Sequence, residues 1–238
     1  MKNKIIRSTE DVFETLDELF NDSFEYWNTV YQERPEYMSF LTNFPDENLV
    51  SYFNSEQLKT SKVLELGCGE GRNAIYMAKQ GCDVEAIDIS IKAIQLAKDN
   101  ANKQNVDVRF SCSNVFEMDL QDNSYDMVYD SGLLHHLLPH RRFQYVDLIH
   151  RSLKTNGYLG LICFASGFTE VGGPKEISDA EVYRERNIMG GMAYSEEKLK
   201  SILTKGFELI ELRYMNEHLQ NQELFGKSFL WASLWRKK

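Results

Sequence analysis

The feature that most constrains this chain is residues 63–71, where an apolar run leads directly into three glycines at alternate positions, Val-Leu-Glu-Leu-Gly-Cys-Gly-Glu-Gly. The β-branched and aliphatic residues of 63–66 are typical of a short buried strand. Residues 72–79 predict a helix, because Ile75 and Ala78 are spaced to share one face. The glycines permit backbone angles that a Cβ would forbid, and they let a ligand approach the main chain. A strand, a glycine turn and a helix N-terminus form a cradle of nucleotide size.

The spacing of the glycines and the acids around them indicate the type of ligand. Dinucleotide-binding folds use G-x-G-x-x-G, whereas here the third glycine comes one residue earlier. Glu65 and Glu70 bracket the turn, and two carboxylates repel a pyrophosphate but suit an amino group or a sulfonium. A second strand-like run, 84–88, ends in Asp88, 21 residues after Gly67. A ribose-binding carboxylate is expected at about this position.

These residues resemble motif I and the following acidic position of the class I S-adenosylmethionine-dependent methyltransferases. The resemblance covers about residues 45–238 and implies a Rossmann-like, doubly wound α/β sheet of seven strands with the last strand antiparallel. Gly71-Arg72-Asn73 is also similar to the tellurite-resistance and thiopurine methyltransferase branches. The implied cofactor is S-adenosyl-L-methionine, and the residues expected to bind it are Glu65, Gly67, Cys68, Gly69, Gly71, Asp88, Ile89, Asn114, Val115, Phe116 and Asp130.

The adenine contact departs from the family pattern. Residues 106–110 alternate apolar and polar side chains and predict a third strand, which Asn114, Val115 and Phe116 follow. Class I methyltransferases commonly have an Asp here that accepts from the exocyclic amine of adenine, and the carbonyl of Asn114 is able to do the same. Phe116 either covers the adenine face or is a buried aromatic at the end of a strand.

The N-terminal residues 1–55 predict a helical cap on a core formed by residues 56–238, within a single domain. Residues 8–33 carry apolar side chains every three to four positions, so we expect an amphipathic helix with a break near 21–23. Aromatic residues are frequent between there and Phe53, and the resemblance places this segment over the cofactor and the acceptor. Arg34 is expected either to contact the cofactor carboxylate or an anionic acceptor, or to lie in solvent.

The second half of the chain continues the alternation of strands and helices that indicates a doubly wound sheet. A turn is expected at Asn156-Gly157. Residues 165–194 interrupt the pattern with six glycines and prolines, and such a long connection is more often a functional loop than an idle one. The predicted strands are 125–130, 158–164, 207–212 and 229–235, and the predicted helices include 91–103, after an N-cap at Ser90, and about 141–153.

Histidines follow the fourth strand, at the end where the resemblance places the transferable methyl group. His135 and His136, with His140 nearby, are the candidates for taking a proton from the acceptor, because histidine titrates near neutral pH. Adjacent residues at the start of a helix point in different directions, so at most one of the pair is expected to face the pocket. The alternative is that both histidines only pack or cap.

Composition limits the partners. The net charge is −9, without a run rich in lysine or arginine, which disfavours nucleic acid. No apolar run approaches the roughly 20 residues that span a bilayer, and we expect no membrane association and a cytoplasmic location. The four cysteines lack the spacing of zinc ligands, so we expect buried, reduced thiols and no metal.

The sequence therefore favours a methyltransferase that acts on a small-molecule acceptor by in-line methyl transfer. The alternatives are a non-catalytic protein that binds S-adenosylmethionine and a nicotinamide-dependent oxidoreductase. The glycine spacing and the acids around it oppose the oxidoreductase. The aromatic N-terminal segment and the loop 165–194 oppose a purely cofactor-binding role.

Overall fold

A computed structural model describes residues 5–20, 23–34, 38, 40–59, 61–185, 190–217 and 223–238. Three helices precede the sheet: α1 (Thr9–Phe20), α2 (Ser23–Glu33) and α3 (Glu47–Asn54). The break expected near residues 21–23 falls mainly on residues 21–22, which lie outside the described residues. The side chain of Asn28 fixes α2 to the core, because its Oδ1 accepts hydrogen bonds from Ser90 Oγ at 2.8 Å and from Lys92 N at 3.2 Å.

Strands and helices then alternate. The strands are β1 (Lys62–Leu66), β2 (Asp83–Asp88), β3 (Arg109–Cys112), β4 (Tyr125–Ser131), β5 (Leu153–Phe164), β6 (Phe207–Tyr214) and β7 (Leu230–Lys237). The helices between them are α4 (Arg72–Lys79), α5 (Ile91–Lys103), α6 (Pro139–Ser152), α7 (Asp179–Glu185) and α8 (Glu196–Leu203). Ser90 caps α5 as predicted, since its hydroxyl accepts from Ala93 N.

The strands form one seven-stranded sheet in the order β3-β2-β1-β4-β5-β7-β6. Neighbouring strands from β3 to β5 are parallel, whereas β7 runs antiparallel to both β5 and β6. This confirms the predicted doubly wound α/β sheet with a last antiparallel strand. The chain order reverses at β1, so the carboxyl ends of β1, β2 and β4 meet where such sheets bind ligands.

Alternation along the strands divides the core into two halves. Val63 of β1 packs on one face with apolar residues of α3, α4 and α5. Leu64 and Leu66 point to the other face and pack with α6 and α8. Both faces of the parallel strands are thus buried, which explains why β1 and β4 consist largely of apolar residues.

Two predicted boundaries are wrong. The third strand begins at Arg109 rather than at residue 106, because pairing with β2 starts only opposite Glu85; Val106 N instead bonds to Ala101 O and completes the end of α5. The turn expected at Asn156-Gly157 lies inside β5. Asn156 has a φ of 62°, and the register with β4 shifts between Tyr125 and Met127, so the extra residues form an irregularity within the strand.

The insertion 165–194 is partly ordered by its own helix, α7, and its ends are joined. Ala165 and Tyr194 form an isolated parallel bridge, and Met192 N donates to the carbonyl of His135 at 2.8 Å. Residues 186–189 lie outside the described part of the chain.

Of the four cysteines, Cys112 is exposed rather than buried as expected, because it lies on the edge strand β3. The helices within the described ranges are too short or too polar to span a membrane.

Asp130, at the end of β4, organises the turn that follows. Its carboxylate is fully buried and accepts hydrogen bonds from Leu133 N at 2.6 Å, Leu134 N at 3.0 Å and Tyr145 Oη at 2.8 Å. Burial raises the pKa of Asp130 to about 6 despite these donors. These three donors engage the carboxylate, and Asp130 does not line the main cavity at the carboxyl ends of the strands, so its expected cofactor contact stays a prediction that this position does not favour.

We predict that Asp130→Ala lowers the free energy of unfolding by about 3 kcal/mol, because it leaves three donors without their acceptor in the interior. Urea denaturation followed by circular dichroism measures this change. The matched control is Asp147→Ala, which removes an exposed ion pair with Arg151 and should cost less than about 0.5 kcal/mol. Equal effects of the two substitutions would contradict the assigned role.

Candidate functional site

A cavity of about 500 Å³ lies at the carboxyl ends of the parallel strands. Its lining follows the order of the strands: Asp88 ends β2 and Ile89 follows it, Gly67 follows β1, and His135 and His136 follow β4. Neighbouring strands are about 4.8 Å apart, so the cavity extends across the sheet from β3 to β5. One end is therefore formed by the β2 and β3 residues and the other by the residues after β4 and β5.

The glycine loop between β1 and α4 requires its glycines. Gly67, Gly69 and Gly71 have φ values of 69°, 54° and 81°, in the left-handed region that residues with a Cβ rarely adopt. A Cβ on Gly69 would also lie only 2.5 Å from the hydroxyl of Tyr31 in α2. The loop thus holds its backbone in close contact with the cap. Cys68 in this loop is buried, and burial raises the pKa of its thiol, which indicates a packing role.

Asp88 connects the glycine loop to the start of α5. Its Oδ2 accepts from Gly69 N at 2.9 Å and its Oδ1 from Ser90 N at 2.8 Å. Burial raises the pKa of Asp88 to about 6, although both backbone donors lower it, so the carboxyl is mostly ionised at neutral pH. Each oxygen retains a lone pair, and the side chain lines the cavity.

Glu65 is a buried acid without a full set of partners. Its Oε2 has no hydrogen-bond partner among the described residues. Burial, followed by repulsion from Asp46, raises its pKa to about 8, against the opposing effect of Arg72. Glu65 lines a smaller cavity of about 50 Å³ beside the glycine loop. The two cavities are adjacent and share five lining residues, Tyr31, Phe40, Gly67, Arg72 and Ser131.

Arg72 is a site residue that sequence reasoning did not assign. Its guanidinium donates to Asp46 Oδ1 at 2.7 Å, to the carbonyl of Phe40 at 2.8 Å and to Ser131 Oγ at 3.1 Å. It also stacks on the ring of Phe225 at 4.1 Å. Arg72 lines both cavities and so presents a cation beside the glycine loop. The available signal was the Gly-Arg-Asn sequence at the start of α4.

Arg34 does not line either cavity. It forms an ion pair with Glu70 of the glycine loop, and its contact with the cofactor carboxylate or an anionic acceptor stays a prediction. The same pair neutralises one of the two acids that bracket the turn. The sequence showed Arg34 and Glu70 separately, but nothing in it indicated that they meet across 36 residues.

Asn114, Val115 and Phe116 line the β3 end of the cavity together with Ile89. Asn114 Oδ1 accepts from Phe116 N at 3.1 Å and thereby caps a short 3-10 turn over Val115–Glu117. This carbonyl is therefore already engaged once, and its second lone pair is the one left for a ligand. Phe116 contacts the ring of Tyr145 edge-on, at 6.5 Å between centroids, and is partly buried.

Both His135 and His136 line the cavity, so the expectation that at most one faces the pocket is wrong. They lie in a short 3-10 turn, Leu134–His136, with their ring centroids 4.4 Å apart. Burial lowers the pKa of His135 well below its usual value and that of His136 to about 4. Both imidazoles are therefore neutral at physiological pH.

The two histidines differ in their hydrogen bonds. The Phe164 N–H donates to His135 Nδ1 at 3.3 Å, which places the proton of the neutral ring on Nε2. Gly132 and Gly191 pack against the same ring, where a Cβ would lie 3.3 Å and 3.0 Å from its carbon atoms. His136 packs edge-on against Trp27 of α2, at 4.7 Å between centroids, and its ring nitrogens bond to none of the described residues.

The cap and the insertion close the remaining sides of the cavity. Tyr26, Trp27 and Tyr31 of α2 line it with Phe40, and Gly172 and Gly190 of the insertion also take part. No group of three or more potential metal ligands occurs in the described ranges.

Comparison with known proteins agrees with this architecture. Residues 63–157 match the family model described as a methyltransferase domain. The 27-O-demethylrifamycin SV methyltransferase of Amycolatopsis mediterranei is 34% identical over 128 residues, which are 52% of this chain and 45% of that protein. The chain spans only 40–54% of the length of the first four curated relatives that it matches.

Solved structures show the same fold over most of the chain. The 1,6-didemethyltoxoflavin-N1-methyltransferase of Burkholderia thailandensis, solved with S-adenosylhomocysteine, has a TM-score of 0.66 at 17% identity and covers 99% of this chain and 93% of its own. A structure from work on thioacetal formation during echinomycin biosynthesis has a TM-score of 0.71 at 19% identity, with 91% and 93% covered. Residues 63–157 thus carry a methyltransferase domain, and the seven-stranded sheet has the fold of these solved structures.

Proposed function

We propose that the protein transfers a methyl group from S-adenosylmethionine to a small-molecule acceptor. The observation that carries this proposal is a pair of adjacent cavities, with shared lining residues, in which two kinds of groups lie side by side. At one end lie the glycine loop, Asp88 and the incompletely paired carboxyl of Glu65. At the other end lie two neutral histidines and aromatic walls.

The first end fits the cofactor. Asp88 retains lone pairs for the two ribose hydroxyls, and Ile89, Val115 and Phe116 offer apolar surface to the adenine. Glu65 suits the amino group of the cofactor, and Arg72 suits its carboxylate, with Gly67, Gly69 and Gly71 allowing close approach. When bound, S-adenosylmethionine supplies a methyl group that is attached to a positively charged sulfonium. Once the methyl group is transferred, the sulfur is left as a neutral thioether.

The chain's own contribution at the second end is to orient the acceptor and accept its proton. His135 presents Nε2–H as a donor, so it orients an oxygen or nitrogen of the acceptor. His136 has unengaged ring nitrogens and is the proton acceptor in this proposal. A hydroxyl becomes a strong acid as it gains a methyl group, so even an imidazole with a pKa near 4 is a sufficient base.

The location and the exclusion of nucleic acid stay predictions from composition. The closest rival activity is that of a nicotinamide-dependent oxidoreductase with a related fold, and cofactor binding separates the two. A protein that only holds S-adenosylmethionine would bind it equally well, and transfer of a labelled methyl group separates that case.

We predict that saturating S-adenosylmethionine or its demethylated product raises the melting temperature by about 5–10 °C. At a hundredfold excess over Kd the linkage is ~2.7 kcal/mol, and a chain of this size gains roughly 2–4 °C per kcal/mol. Differential scanning fluorimetry with NADH and NADPH as controls measures this shift. A shift with NADH and none with the methyl donor would refute the proposal. Methyl-labelled cofactor incubated with a fractionated cell extract then identifies the acceptor.

We predict that binding of the cofactor at pH 6.5 releases about one proton from Glu65. The carboxyl is protonated at that pH because its pKa is about 8, whereas a cofactor amino group, charged below about pH 7.7, favours the carboxylate. Calorimetry in buffers of different ionisation enthalpy counts the protons. Glu65→Gln should abolish most of the release, while Glu70→Gln, which removes the partner of Arg34 instead, should leave it unchanged. Undiminished release by Glu65→Gln would exclude this contact.

We predict that His136→Asn lowers kcat by about 10²–10⁴ with nearly unchanged cofactor affinity, because it removes the proton acceptor. Since His136 stays neutral above about pH 5, the native rate should not fall between pH 8 and pH 5 through its protonation. The control is His150→Asn, on α6 beside Phe207 and outside the cavity. Full turnover by His136→Asn at every pH would leave positioning as the only role of this residue.

A further inference from the structure

The acceptor half of the cavity is enclosed by flat rings. Its walls include Trp27, Phe164 and Phe229, and also Phe40 and Phe225, which contact Arg72. These rings come from the cap, from the end of β5 and from the segment that leads into β7. Trp27 is in contact with Phe40 at 6.2 Å and with His136 at 4.7 Å between centroids. Rings from several separate elements, arranged around one space, favour a flat apolar guest.

The charged side chains that line the cavity away from the proposed cofactor contacts pair with other residues of the chain. Besides Arg72, which is proposed to meet the cofactor, the lining cations in the described ranges are Arg141 and Lys227. Arg141 pairs with Glu10 and Asp17, and Lys227 pairs with Glu217. The lining acid Asp17 also contacts His140 at 2.8 Å. A charged guest therefore meets no unpaired opposite charge among these residues.

The polar edge in this half consists of the two neutral imidazoles. His135 is held as a donor through Nε2–H, because its Nδ1 is engaged by the Phe164 N–H. His136 adds a second ring that accepts or donates. Burial lowers the pKa of both histidines, so neither one attracts an anion at neutral pH. An uncharged hydroxyl, carbonyl or ring nitrogen on the edge of the guest satisfies this pair.

We infer that this half of the cavity binds an uncharged aromatic ring system whose oxygen or nitrogen faces His135 and His136. The inference deepens the proposed function by naming the chemical class of the acceptor. Only the identification of the bound ring system as a methyl acceptor rests on the proposed function. The binding of such a ring system does not depend on methyl transfer.

A matched set of ligands tests each part of this inference by titration calorimetry, with and without saturating S-adenosylhomocysteine. The probes are 1-naphthol, which is flat and neutral; 1-naphthoate, which is anionic; decahydro-1-naphthol, which is not flat; and naphthalene, which lacks the hydroxyl. We expect 1-naphthol to bind at least tenfold more tightly than each of the other three. Equal or tighter binding of 1-naphthoate or decahydro-1-naphthol would overturn the inference.

Variants locate the binding. Trp27→Ala should weaken 1-naphthol at least fivefold, whereas Phe24→Ala, which removes a half-exposed ring of the same helix outside the cavity, should not change it. The double variant His135→Phe/His136→Phe should abolish the preference for 1-naphthol over naphthalene. Circular dichroism checks that each variant is folded. If a variant does not fold, the titrations of the four ligands on the native protein still test the inference.

The outcomes separate the two proposals. Binding of S-adenosylhomocysteine without any binding of 1-naphthol would refute the acceptor class and leave the methyltransferase proposal in place. Binding of 1-naphthol that depends on Trp27, in a protein that binds neither S-adenosylmethionine nor S-adenosylhomocysteine, would do the reverse.

Discussion

The buried ion pair between Arg72 and Asp46 is the interaction on which the site depends. Asp46 is fully buried and also accepts hydrogen bonds from Tyr129 Oη at 2.8 Å and from Asn73 Nδ2 at 3.1 Å. It therefore joins the start of α3, the first turn of α4 and the strand β4. Isolated, either charge would be strongly unfavourable in this interior, so the pair is retained only with all of its partners in place.

The same network sets the electrostatics of the cofactor end. Asp46 raises the pKa of Glu65, while Arg72 lowers it. The guanidinium also holds Phe40 of the cap through a carbonyl and Phe225 through its ring. The Arg72–Asp46 network thus affects both the shape of the cavity and the pKa of Glu65. A substitution in this network is expected to change both.

Sequence reasoning succeeded where a local pattern determines the structure. The glycine loop, Asp88 and the Ser90 cap are read from spacing alone, because strand ends and helix starts follow local rules. It failed for residues whose role depends on partners far along the chain. Asp46 and Glu47 lie at the start of α3, where a helix N-terminus favours acids, yet both are buried and pair with Arg72 and Arg213.

The site shows the same division. Asp130 stands at a strand end like Asp88, but the backbone of the next turn curls over its carboxylate, and no pattern in the sequence distinguishes the two. His135 and His136 both reach the cavity because a tight 3-10 turn replaces the helix start that was expected. The third strand was predicted to begin at residue 106 because Val106 and Val108 alternate with polar residues, as in a strand. In the structure these residues connect α5 to β3, which begins at Arg109.

The contact between Tyr31 and Gly69 ties the helix α2 to the glycine loop. The same helix covers His136 with the ring of Trp27. Any displacement of α2 would therefore alter the glycine-loop end and the histidine end of the site together.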